Sequence, residues 1–416
     1  MISNYLKIAW KVLLRHPFYT FVTLFGISLT LTVLIVLTSF INHLAGPNYP
    51  EHKRDRTLYL QKITLQDEQQ QSANVGPASF EFMQQYVTSL KTPEKVAIAT
   101  FMDFANAYVN GKRIEVKIKH TNAEFWEVAE FNFLEGKPFD GQNIAGSQNV
   151  AVISDHLKRQ YFGDDAEAVT GQFIEVDNRK YRVIGVVQGV PVTRPFTTGD
   201  MYIPYSASHK DGRSKGFMGG YVAMVLARDK ADFPAIQSEL TGVIGRIPTP
   251  QMSGGFKFYH IKAGAYPYLD AMLATFPVFG TEASGVFYAV ISIFMVLFMS
   301  LPAINLVNLN VSRMMERASE IGVRKAFGAP VRTLIGQFVI ENLFITAIGG
   351  AIALVLSALI VSVINRSGLI VKADLTINLA VFAASVLICF VFGIMSGLLP
   401  ALRMARVSIA QALKNA

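Results

Sequence analysis

The sequence predicts an α-helical membrane protein with four transmembrane helices and a large mixed α/β extracytoplasmic domain inserted between helices 1 and 2. Three observations carry that expectation. The chain of 416 residues is 51% hydrophobic and 16% charged, whereas a soluble protein carries about a quarter of charged residues. Four long apolar runs occur, one close to the start and three in the last third of the chain. Between the first and second run lies a long stretch in which short alternating segments are separated by turn signals.

Residues 1–17 form the first element. Lys7, Lys11 and Arg15 recur every fourth position, with Ile2, Leu6, Trp10 and Leu13 on the other side. This is the pattern of a helix lying at the cytoplasmic membrane interface, basic side toward the lipid headgroups. The same basic start also fits the n-region of a signal peptide. The uncharged run that follows Pro17 is longer than an h-region of roughly 7–15 residues, so residues 18–44 read as an uncleaved span. At ~1.5 Å per residue it is about 40 Å long, enough to project beyond a ~30 Å hydrocarbon core as a stalk.

Residues 285–310, 334–364 and 377–402 are the other three spans, each longer than the ~20 residues a bilayer requires. Glu341 is the only charged residue well inside them. A charge at mid-membrane costs roughly 2.5–3.5 kcal/mol on insertion scales, so Glu341 calls for a polar partner or a place near the inner interface. Asn305, Asn308 and Gln337 complete a candidate transmembrane polar cluster with it. Such a cluster reads as polar contact between helices or as a substrate or proton site.

Orientation follows from the basic residues. Lys7, Lys11 and Arg15 precede the first span, Arg313, Arg317, Arg324, Lys325 and Arg332 lie in residues 311–333, and Arg403, Arg406 and Lys414 lie in the tail 403–416. With four spans these segments share one side, and the positive-inside rule makes it the cytoplasm. Both termini are then inside, and residues 45–284 and the short loop 365–376 are outside. The single cysteine, Cys389, excludes an intramolecular disulfide, so the outer domain is expected to hold together by its own core.

Within residues 45–284, Ala107–Lys119 alternates around Asn110-Gly111, the strongest short hairpin signal. Phe173–Val187 repeats the pattern around Asp177-Asn178. Val150–Ile153 reads as a short buried strand, followed by a helix that Ser154 caps and Gly163 stops. Further strands are expected at Met201–Tyr205, Tyr221–Ala227 and Phe256–Ile261, with a helix near Phe233–Ile244 and a polar loop at Gln66–Asn74. The stretch is long enough for one large domain or two small lobes.

Several chemistries are excluded or unsupported. The phosphate loop G-x-x-x-x-G-K-[ST] is absent, since Gly111-Lys112 and Gly136-Lys137 lack both the upstream glycine and the hydroxyl residue. The seven histidines show no metal-ligand spacing, and no G-x-S-x-G nucleophile elbow occurs. No catalytic, cofactor-binding or metal-ligating residues are therefore singled out. The charged segment Val311–Pro330, VSRMMERASEIGVRKAFGAP, is different. Glu316 and Glu320, Glu320 and Arg324, and Arg313 and Arg317 are each four apart, which lines acids and bases along a helix surface. Gly328 followed by Pro330 then reads as a helix stop and a new start.

These residues carry a resemblance. E-R-x-x-E-I-G-V-R-K-A-x-G-A, Glu316–Ala329, resembles the signature of the MacB/FtsX-like permeases, the transmembrane subunits of type VII ABC transporters. QFVIENLFITAIGG (Gln337–Gly350) is similar to the opening of that family's third span, and GLLPALRMARVSIAQALK (Gly397–Lys414) to its closing motif, with Ile409 where the family often has proline. Thr121–Phe139 and the run from VISDHLKRQYFG to YRVIGVV resemble its periplasmic core domain.

The resemblance implies a coupling helix seated in a separate ABC ATPase subunit, with Arg313, Glu316, Arg317, Glu320, Ile321, Arg324, Lys325, Phe327 and Gly328 at the contact. ATP and Mg would be bound by that ATPase and not by this chain. It implies a second permease copy or a related permease, a multi-pass place in the bacterial inner membrane among its lipids, no nucleic acid, and a periplasmic adaptor and outer-membrane channel as further partners. The implied function is efflux or extraction of a periplasmic or membrane-held substrate. The alternative is an FtsX-like signalling scaffold that regulates a periplasmic cell-wall hydrolase without transport, and a third reading is a stand-alone membrane anchor. The size of the outer domain favours the MacB-like side.

Overall fold

In the computed structural model, which describes residues 14–15, 17–101, 103–109, 111–207, 216–274, 283–316, 331–367 and 375–405, a strand-rich segment lies in sequence between long apolar helices. Two units are distinguished. A sheet unit spans Leu44–Gly285, and a helical unit comprises Met1–His43 with Val286–Ala416.

The strands of the sheet unit are β1 (Thr57–Leu60), β2 (Ile63–Gln66), β3 (Ala73–Gly76), β4 (Lys95–Thr100), β5 (Asp103–Val109), β6 (Lys112–Thr121), β7 (Phe133–Gly136), β8 (Val150–Ser154), β9 (Phe173–Val176), β10 (Arg179–Val187), β11 (Met201–Pro204), β12 (Tyr221–Leu226), β13 (Gln251–Ser253), β14 (Phe256–Phe258), β15 (His260–Ala263) and β16 (Tyr266–Pro267). The main sheet runs β11-β8-β10-β9-β5-β6-β4-β12-β1-β16, with β7 beside β10, and β11 also pairs with β6. Six strands therefore close into a ring, β6-β5-β9-β10-β8-β11, which removes the open edges that would otherwise invite pairing. One core belongs to this ring, built from Val116, Ile118, Ala151, Ile153, Ile174, Val176, Val183, Met201 and Ile203.

Strands β4, β12 and β1 extend the sheet beyond the ring and are buried on both faces. Because side chains alternate along a strand, each strand feeds two cores. Val96, Ile98, Tyr221, Ala223, Val225, Leu58 and Leu60 pack on one side with Ile236, Leu240 and Ile244 of the helix Phe233–Gly245. Ala97, Ala99, Val222, Met224, Leu226 and Tyr59 pack on the other, with Phe125, Trp126, Phe196 and Tyr202. The residues after 191 do not form a separate lobe, since β11 closes the ring and β12 lies between β4 and β1.

Local signals act as their chemistry requires. Asp177 and Asn178 have φ of 47° and 59°, the two left-handed residues that a tight hairpin turn requires. Ser154 Oγ accepts from Leu157 N at 3.1 Å at the start of the helix Asp155–Phe162, and Gly163 ends it with φ of 96°.

In the helical unit the long helices are Pro17–Ala45, Ala283–Glu316, Val331–Ser367 and Leu379–Ala405. Pro17–Ala45 and Val339–Ser367 are long and apolar enough to cross a membrane, while Ser284–Phe298 and Leu379–Val391 are shorter apolar runs. The helix carrying the second apolar run does not stop at Asn310 but continues to Glu316. Ile27, Leu31 and Leu34 pack with Ile345, Ala353 and Cys389. Thr32 Oγ1 donates to Ser28 O at 2.7 Å and to Ala353 O at 3.4 Å. At Gly349 an added Cβ would stand 2.7 Å from Ile27 Cγ2, so glycine is what allows this close helix approach.

The ring has its own glycine requirement at Gly136, where β7 meets β10. Its φ is +63°, and a Cβ there would lie 2.0 Å from the Ile184 carbonyl oxygen. Gly136→Ala is expected to destabilise the sheet unit by more than ~2 kcal/mol, read as a lower midpoint in urea unfolding. Gly111→Ala, which meets no atom within 4 Å, should cost less.

Candidate functional site

The sequence-predicted coupling residues are only partly within the described structure. Arg313 and Glu316 lie on the last turns of the helix Ala283–Glu316. Arg317, Glu320, Ile321, Arg324, Lys325, Phe327 and Gly328 fall in residues 317–330, outside the described residues. Of the polar cluster, Asn305 and Asn308 are on Ala283–Glu316, and Gln337 and Glu341 on Val331–Ser367. Glu341 is 5% exposed and its neighbour Asn342 2%. They begin a buried stripe that continues through Ile345, Thr346, Gly349, Ala353 and Ser357, the side of the helix that meets protein.

The sheet unit holds a charged centre that sequence reasoning missed. Glu51, Arg54, Lys119 and Arg194 are all buried. Arg54 grips one carboxylate oxygen of Glu51, Oε2, from Nε at 2.9 Å and Nη2 at 2.8 Å. Thr197 Oγ1 donates to Oε1 at 2.6 Å and the Tyr59 hydroxyl to Oε2 at 3.1 Å. The third nitrogen of Arg54, Nη1, donates to the carbonyls of Leu44 at 2.7 Å and Gly46 at 3.0 Å. Its guanidinium carbon stands 3.6 Å from the centre of the Tyr268 ring, a cation–π contact strengthened by burial.

The electrostatics explain why this pair outweighs the surface ones. Burial alone would raise the Glu51 carboxyl, but Arg54, Thr197 and Arg194 outweigh it and hold it below its ordinary value. Burial likewise opposes the charge on Arg54, and Glu51 restores it and raises Arg54 above its usual value. Breaking such a pair from one side costs about 3–5 kcal/mol. Lys53–Glu130 and Lys95–Glu127 are exposed, where water and salt leave ion pairs weak. Burial pushes Lys119 down to about 7. Its Nζ nevertheless donates to the carbonyls of Thr100, Phe101 and Pro195 at 2.7, 3.0 and 3.0 Å, and three acceptors call for the three hydrogens of the ammonium form.

An open cleft of about 430 Å³ also lies in the sheet unit, lined in part by Phe80, Gln84, Lys95, Glu124 and Tyr205. Phe80 and Tyr205 stack with centroids 3.9 Å apart. Asn122 on its wall is already committed, accepting from Ile98 N at 2.9 Å and donating to Val96 O at 3.0 Å.

Compared with known families, residues 20–243 match the MacB-like periplasmic core domain, and residues 292–409 match the FtsX-like permease C-terminal region. The chain belongs to the MacB/FtsX-like permease family. It is 23% identical over 431 aligned positions to the macrolide export ATP-binding/permease protein MacB of Burkholderia pseudomallei, covering 98% of this chain and 59% of that protein. It is 24% identical to the pyoverdine export ATP-binding/permease protein PvdT of Pseudomonas syringae pv. tomato, covering 70% of this chain and 40% of that one. The chain thus spans about half the length of the curated relatives it matches. The crystal structure of the periplasmic region of MacB from Actinobacillus actinomycetemcomitans aligns with 50% of this chain and 88% of its own, at 16% identity and a TM-score of 0.35. In this MacB/FtsX-like chain the segment 317–330 and both helices beside it fall largely inside the FtsX-like region.

The buried pair makes a pH-dependent contribution with a definite sign. The Glu51 carboxyl is lowered in the folded protein, so its contribution is present above the unfolded value of about 4.3 and is lost as pH falls through the lower folded value. Glu51→Gln keeps the shape but removes the anion, and is expected to cost about 3–5 kcal/mol at pH 7. Urea unfolding at pH 7 and pH 3 checks both points, because the difference between wild type and variant should shrink at the lower pH.

Proposed function

We propose that the chain is the permease subunit of a MacB-like ABC transporter, in which a separate ATPase subunit hydrolyses ATP in the cytoplasm and drives motion of a periplasmic sheet unit. In this reading four helices cross the inner membrane, both termini are cytoplasmic, and the sheet unit is inserted between the first and second helix. The motion drives efflux or extraction of a periplasmic or membrane-held substrate. The observation that carries the reading is the FtsX-like match over residues 292–409, joined to a sequence that contains no phosphate loop of its own.

The charged segment supports the same reading. Residues 313–328 place acids and bases at helical spacing between two long helices, so a push received there passes along rigid rods. ATP and Mg belong to the ATPase subunit. A second permease copy, or a related permease, completes a two-fold arrangement that matches an ATPase dimer. Export is preferred to a purely regulatory scaffold because relatives matched over most of this chain carry export names, for macrolides and for pyoverdine. A periplasmic adaptor and an outer-membrane channel are the partners that export across a second membrane requires.

Reversing one charge tests the coupling. Glu320→Arg is expected to abolish stimulation of ATP hydrolysis in the partner ATPase, while urea unfolding of the sheet unit stays as in wild type. Stimulation at the wild-type level in this variant would rule the coupling role out.

A further inference from the structure

Two helix ends fall inside the sheet unit, and side chains of that unit cap both. Leu44 and Ala45 close the helix Pro17–Ala45, and Ser284 lies in the first turn of Ala283–Glu316. A helix C-terminus leaves carbonyls without intrahelical partners and carries partial negative charge, while an N-terminus leaves N–H groups and carries partial positive charge. Arg54 meets the first need, donating from Nη1 to Leu44 O at 2.7 Å and Gly46 O at 3.0 Å. Asp270 meets the second, accepting from Ser284 N on Oδ1 at 2.8 Å. Each cap has the sign its helix end requires.

The two caps are also joined to each other. Asp270 sits on the short helix Tyr268–Leu273, two positions after Tyr268, whose ring lies on the Arg54 guanidinium at 3.6 Å. The Tyr268 hydroxyl donates to Thr193 O at 3.2 Å, and Thr197 of the same loop donates to Glu51. The path from one helix end to the other is therefore Leu44, Arg54, Tyr268, Asp270, Ser284, braced from the side by Glu51 and the loop 193–197. Arg54, Tyr268 and Asp270 are buried, and the helix-end groups they hold, Leu44 O, Gly46 O and Ser284 N, are partly buried, which limits the competition of water for these contacts.

We propose that Arg54, Tyr268 and Asp270 form a single clamp that positions the outgoing and returning helix ends as one body, so that neither can shift without the other. These are positioning residues for the coupling of helix motion to the sheet unit. That use of the clamp rests on the permease reading above, but the clamp itself is measurable with no ATPase present, so the two ideas fail separately.

Hydrogen exchange on the full chain in lipid nanodiscs tests it, using Arg54→Met, Asp270→Ala, Tyr268→Leu and Tyr268→Phe. The expected result is crossed. Arg54→Met speeds exchange at residues 283–288, which Arg54 does not touch, by about tenfold or more, and Asp270→Ala does the same at residues 44–50. Tyr268→Leu opens both segments, whereas Tyr268→Phe keeps the ring and leaves both near wild type. Independent caps would instead give changes confined to residues 44–50 in Arg54→Met and to 283–288 in Asp270→Ala, and that outcome overturns the proposal. Retained protection in β4 and β12 shows that a variant is folded. Should Arg54→Met lose that protection, Asp270→Ala and Tyr268→Leu, which leave the Arg54–Glu51 pair intact, decide the question by the same segments.

Discussion

A charge taken out of water needs partners close by, and in the sheet unit Arg54 has them on several sides. Three of its nitrogens reach Glu51 and two backbone carbonyls, and its face is covered by Tyr268. A lysine there could not serve carboxylate, helix end and ring together, because its ammonium is a point charge with no planar fork. Glu51 is in turn held by Thr197 and Tyr59, and Tyr59 belongs to β1, which is buried on both faces. The ionic centre and the double-faced sheet thus share a residue, and neither can rearrange alone.

The helical unit obeys a different solvent. Phe18, Phe21, Phe25, Val290, Ile293 and Val296 are exposed, a pattern that would be costly in water but is ordinary in hydrocarbon. Inward contacts are made by small and hydroxyl residues, with Gly349 against Ile27 and Thr32 on the Ala353 carbonyl, because without a hydrophobic driving force helices gain from close approach and from hydrogen bonds. Glu341 and Asn342 lie on this inward side, where a polar group avoids the cost of facing lipid.

Legibility in the sequence followed the range of the interaction. The hairpin at Asp177-Asn178, the Ser154 cap and the Gly163 stop are local, and each was readable from a few neighbouring residues. Strands β1 and β4 were not expected, since TLYL and KVAIAT are buried on both faces and show no alternation to mark them. Glu51 and Arg54 were also missed. Their spacing alone says little, and the partner that fixes Glu51, Thr197, is 146 residues away. The proposed coupling residues were read from a motif, and those in 317–330 lie outside the described residues.

We propose that an ABC ATPase drives a sheet unit whose two helix ends are held by buried side chains, and that this ATPase is a separate subunit. Purification of this chain from its native membranes in mild detergent, followed by identification of what accompanies it and a measurement of ATP hydrolysis, tests this directly. The predicted result is a stable complex with an ABC ATPase subunit whose hydrolysis depends on the chain. Recovery of the chain with no ATP-hydrolysing partner would contradict it.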